Sequence, residues 1–111
     1  MAFVRACSLD DLWAGEMESY ELDGKDVLVA HLDSGEVVAT QAICPHQQIE
    51  LVEGTLEKAT LTCRAHLWTF DLATCTGLNP AHSALARYPV KVDGDDVYVD
   101  PDGDSPKIAH S

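Results

Sequence analysis

Along the chain the hydrophobic positions fall into short blocks separated by turn residues, with no long helical period. Phe3–Cys7 (FVRAC) reads as a first strand, and Ser8–Asp11 has the S-x-x-D spacing of a capped helical turn. Glu16–Leu22 (EMESYEL) alternates acidic and less polar positions, as a strand with one wet face does. Asp23–Asp26 carries a D-G turn signal, Val27–Leu32 (VLVAHL) is an apolar strand, and Asp33–Gly35 turns the chain back. Glu36–Ile43 is the next strand and ends at Cys44. Tyr88–Asp100 is the clearest hairpin: Val90 and Val92 alternate with polar neighbours, as do Val97 and Val99 beyond a D-G-D-D turn. These elements predict an all-β fold, an antiparallel sandwich or partly open barrel. Residues 43–80 form an inserted, loop-rich subdomain, and a tail rich in Pro, Gly, Ser and Asp runs loosely over 101–111.

A length of 111 residues suits one domain, 1–111, with a modest core, and 46% apolar residues argue against disorder throughout. No apolar run is long enough to span a bilayer, and the first residues lack a secretory h-region, so a cytoplasmic protein is expected. Nineteen acidic against seven basic residues leave a net charge of −12. That excess repels nucleic acid and anionic lipid, keeps the chain soluble, and favours partners with a basic patch.

Two short stretches carry the chemistry. Cys44 and His46 stand in C-x-H spacing, and Cys63 and His66 in C-x-x-H spacing, with eighteen residues between the two cysteines. In a reducing compartment these cysteines point to metal ligation rather than disulfides. Pro45 fixes the backbone between the first pair. A Cys₂His₂ set suits structural zinc, but zinc fingers commonly pair Cys with Cys and His with His. One of each kind in each loop suits a two-iron cluster with both thiolates on one iron and both imidazoles on the other.

The stretches CPHQ, TCRAHLWTF, YPV and the terminal AHS resemble the Rieske-type [2Fe–2S] ferredoxins, and among them the ferredoxin component of multicomponent toluene monooxygenases. The resemblance implies a Rieske fold and one [2Fe–2S] cluster, with Cys44 and Cys63 on one iron and His46 and His66 on the other. It also places Ile49 and Ala65 where respiratory relatives carry a disulfide, and Trp68 and Phe70 where those relatives carry hydroxyl donors to sulfur. Without such donors the reduced cluster is less stabilised, so a low potential is expected. Trp68 is read as packing for the cluster subdomain, and Gly77–Pro80 resembles the third loop over the cluster. Gln47 and Gln48 are candidates for the docking border. Cys7 and His31 are read as ordinary strand residues, Cys75 as an inert thiol, and no motif claims His82 or His110.

What is missing narrows the function. There is no G-x-G-x-x-G for a dinucleotide and no Glu-x-x-His pair for a di-iron carboxylate site. The expectation is therefore an electron carrier with no substrate site, acting as a monomer. It takes electrons from an NADH-dependent flavoprotein reductase and gives them to an oxygenase, foremost a di-iron toluene-type hydroxylase. A ring-hydroxylating dioxygenase is the next candidate acceptor, and a structural zinc-binding interaction module is the reading from a different class.

Overall fold

The computed structural model describes residues 3–43, 50–63, 69–72, 74, 76–79 and 85–103. Eleven strands organise them: β1 (Val4–Ser8), β2 (Glu16–Leu22), β3 (Lys25–His31), β4 (Val37–Gln41), β5 (Thr55–Glu57), β6 (Thr60–Thr62), β7 (Thr69–Asp71), β8 (Thr76–Asn79), β9 (Arg87–Tyr88), β10 (Val90–Asp93) and β11 (Asp96–Val99). They form three antiparallel sheets, ordered β1-β11-β10, β2-β3-β4-β9 and β5-β6-β7-β8. Among the described residues, no helix is long and apolar enough to cross a membrane.

The turns explain the registers. Asp23 and Gly24 both have positive φ, 54° and 79°, which a two-residue type I′ hairpin requires and which matches the strand twist. Leu22 therefore faces Lys25, and β2 pairs with the whole of β3. Gly94, at φ 64°, opens the Gly94–Asp95 turn that sets Val92 opposite Val97 and Val90 opposite Val99.

The middle sheet is buried on both faces. Leu28 and Ala30 of β3 join Val38, Leu51, Leu61, Phe70, Leu72 and Leu85 in one core, beneath the β5–β8 sheet. Val27 and Val29 point the other way, to Cys7, Leu12, Ala39, Ala86, Tyr88, Val97 and Val99, against the β1-β11-β10 sheet. A strand packed on both faces has no use for alternation, which is why VLVAHL is continuously apolar.

Three expectations need correction, and one gains detail. Ser8–Asp11 makes a turn and no helix: Ser8 Oγ accepts from the Asp10 N–H at 3.2 Å and its carbonyl from the Asp11 N–H at 2.9 Å. These bonds offer the backbone a local alternative to a helical turn. Within the loop-rich stretch 43–80, β5 to β8 pair as a sheet. Gly77–Asn79 belong to β8 and hydrogen-bond to β7 instead of forming a loop; Pro80 lies outside the described residues. Residues 101–103 are not loose: Pro101 is buried, Asp102 pairs with Lys25, and Gly103 lies so close to the Pro89 ring that a Cβ there would overlap it; the rest of the expected tail, 104–111, lies outside the described residues.

Candidate metal centre

Of the four expected ligands, Cys63 is described and is fully buried, at 0% exposure. It follows β6 directly and sits in the core with Leu61, Phe70 and Leu72. Cys44, His46 and His66 lie outside the described residues, as do Trp68, Gln47, Gln48, Cys75, His82 and His110. What the structure shows is how the described residues on either side of these stretches are paired.

Each expected ligand pair lies in a six-residue stretch whose flanking residues are paired. Ile43 bridges Glu50, closing 44–49, and the Leu51 N–H adds a bond to the Ala42 carbonyl at 2.8 Å. Thr62 pairs with Thr69 across β6 and β7, closing 63–68. The two roots are held together by a close backbone approach. After the 3₁₀ turn Leu51–Glu53, Gly54 lies against Thr62, the residue before Cys63. A Cβ on Gly54 would overlap the Thr62 carbonyl oxygen and stand 3.2 Å from the Leu51 oxygen. Glycine is needed here for space, since its φ of −82° is open to any residue. The glycine in VEGT was the available signal, and the sequence reading passed over it.

A third segment is tied to the first loop by Gln41, which is 2% exposed at the end of β4. Its Nε2 donates to the Ile43 carbonyl and its Oε1 accepts from the Ala86 N–H, both at 2.8 Å. At the start of β7 a bulge between Thr69 and Phe70 leaves Leu78 turned outward, 51% exposed. Bulges re-aim side chains in this way beside functional sites.

The surroundings of Cys63 fit a metal centre. A thiolate is costly among leucine and phenylalanine side chains unless a cation compensates it, and a metal does so. Phe70 is fully buried in the same core and brings no hydroxyl near it. The two thiols expected to be ordinary or ligating are also distinguished by position. Cys7 is in the opposite core, where burial pushes its thiol up despite a hydrogen bond with Tyr20. His31 ends β3 and donates from Nδ1 to the Leu12 carbonyl at 2.8 Å, a structural bond.

Comparison with known proteins decides between zinc and iron–sulfur. A model of the Rieske [2Fe–2S] domain matches residues 2–89. The chain is 41% identical over 98 residues to the ferredoxin component of the alkene monooxygenase system of Xanthobacter autotrophicus Py2, covering 87% of this chain and 80% of that protein. Its fold superposes on the ferredoxin of carbazole 1,9a-dioxygenase from Nocardioides aromaticivorans IC177 with a TM-score of 0.82, at 29% identity, over 91% of this chain and 99% of that one. A ferredoxin solved in complex with the oxygenase of carbazole 1,9a-dioxygenase gives 0.80 at 25% identity, over 87% and 91% of the two chains. The prosthetic group of such a domain is one Rieske [2Fe–2S] cluster, and a zinc module is excluded. With the family model matching residues 2–89 and a relative 41% identical over most of both chains, this chain belongs to the Rieske [2Fe–2S] domain family.

Proposed function

We propose that this chain is a low-potential Rieske ferredoxin, a soluble cytoplasmic monomer that shuttles single electrons within a multicomponent oxygenase. Its donor is an NADH-dependent flavoprotein reductase, and its acceptor is the hydroxylase of a di-iron, toluene-type monooxygenase. The chain is one domain, 1–111, in which residues 43–80 are the cluster-binding unit. Cys44 and Cys63 hold one iron, and His46 and His66 the other. When bound, the cluster supplies reversible one-electron transfer.

The protein's own residues do the rest. The paired roots of 44–49 and 63–68 orient the ligands, and the leucines around Cys63 exclude water from its sulfur. The acidic surface, at net charge −12, draws in partners with basic patches. The observation that carries this reading is the 41% identity to a monooxygenase ferredoxin, held over most of both chains. A ring-hydroxylating dioxygenase is the second candidate acceptor, favoured by the fold's likeness to a carbazole dioxygenase ferredoxin.

The test is reconstitution. The purified holoprotein is expected to be coloured and to give a rhombic EPR signal on reduction. Mixed with a flavoprotein reductase and NADH, it should support hydroxylation by a di-iron monooxygenase hydroxylase. Turnover with a ring-hydroxylating dioxygenase alone would move the assignment to the second acceptor. A protein that cannot be reduced by any such reductase would refute both.

A further inference from the structure

We infer that Gln41 is a positioning residue for the cluster, a buried clamp that fixes the residue before Cys44 relative to Ala86. The inference rests on the cluster reading above. A glutamine side chain at 2% exposure needs both ends of its amide satisfied, and here each end goes to a different segment of backbone. Nε2 donates to the Ile43 carbonyl, one residue before Cys44. Oε1 accepts from the Ala86 N–H, just beyond residues 80–84. The Gln41 main chain pairs with the same residue, its N–H donating to the Ala86 carbonyl at 3.2 Å. Ala86 is thus held from both its polar groups by one residue, and that residue also holds the root of the first ligand loop.

The geometry has consequences that ordinary core packing lacks. Ile43 joins the six-residue connection 44–49 through its bridge to Glu50, so a shift of its carbonyl moves the peptide leading to Cys44. An amide is rigid, and its two bonds fix the Ile43–Ala86 separation. An apolar side chain of similar volume would fill the space and fix nothing. Outer partners of metal-binding loops commonly alter metal retention and electronic structure when removed.

Three variants of the holoprotein test this. Gln41→Met keeps volume and removes both side-chain bonds. Gln41→Glu keeps an acceptor for Ala86 and, above the pH at which its buried carboxyl ionises, cannot donate to Ile43. Thr40→Val is the control: Thr40 is equally buried on the same strand, but its Oγ1 donates only to the neighbouring Gln41 carbonyl. In Gln41→Met the g-values of the reduced cluster should shift. Bleaching of visible absorbance by an iron chelator should speed up about tenfold, and exchange of the Ala86 amide hydrogen should accelerate. Gln41→Glu should shift the g-values while the Ala86 amide stays protected. Thr40→Val should lower the melting temperature with wild-type g-values. Wild-type g-values and bleaching in Gln41→Met, or equal shifts in Thr40→Val, overturn the inference. If Gln41→Met does not fold, wild-type g-values in Gln41→Glu overturn it. Wild-type protein without a Rieske signal would instead sink the cluster reading itself.

Discussion

At the scale of single residues, the polar and small side chains at the loop roots decide more than the apolar ones around them. Gly54→Ala places a methyl group against the Thr62 carbonyl, where only backbone can yield. It should cost about 1–3 kcal/mol of stability by overpacking, measured by urea unfolding, and lower the iron content of purified protein. Full occupancy with unchanged stability would mean that the roots tolerate separation. Cys7 and Tyr20 give a second prediction. Burial raises the Cys7 thiol above its usual 9.0, and burial together with the Cys7 hydrogen bond raises the Tyr20 hydroxyl well above 10.0. Raised acids bind protons more tightly in the folded chain than in the unfolded one. Their stabilisation is therefore complete below about pH 9 and is lost as pH climbs through the unfolded and then the folded values. Tyr20→Phe should flatten that alkaline decline in a series of unfolding curves from neutral pH to pH 10.5. A parallel decline in both proteins would contradict it.

At the scale of elements, β3 is the strand on which both cores depend. Leu28 faces the cluster side and Val29 the other, and both are fully buried. Leu28→Ala should cost about 2–5 kcal/mol and speed cluster loss, because its core also holds Cys63 and the loop roots. Val29→Ala should also destabilise, by about 1–3 kcal/mol, yet leave chelator bleaching slow under native conditions. Equal bleaching of the two variants would show that the cores are not separable. Hairpins with strong turn chemistry were legible: DG at 23–24 and at 93–94 in VDGDDV each delivered the expected register. The four short strands from Thr55 to Asn79 were not, because strands of three or four residues are too brief for a period to show. The Ser8 turn was misread since an N-cap and an isolated turn use the same side-chain bond.

For the whole molecule, charge and redox chemistry give the remaining predictions. With net charge −12, docking to a basic partner should be steered over long range. Electron transfer from reductase to ferredoxin should slow several-fold as ionic strength rises past about 0.1–0.2 M, where the screening length falls below about 10 Å. Stopped-flow rates indifferent to salt would remove charge from the account. The midpoint potential should fall near the low end of the Rieske range of roughly −150 to +300 mV, since Phe70 is buried and has no hydroxyl to offer. A protein-film titration above about +100 mV, inside that range, would reject the argument.

The chain's order of residues determined the chemistry. Two thiol–imidazole pairs, set apart by spacing alone, point to a metal-binding donor set before any fold is considered, with a two-iron cluster favoured by their mixed order. It also determined the hairpins, because φ-positive turn residues and alternating valines act locally. Tertiary structure decided which residues serve the loops. Nothing local in TQAI marks Gln41 as a clamp, and the glycine in VEGT signals a special backbone position without saying what it stands against. Their roles exist only where Ala86 and Thr62, 45 and eight positions away in sequence, are brought alongside by the sheets. Contacts between distant segments depend on packing, and packing is a property of the folded whole.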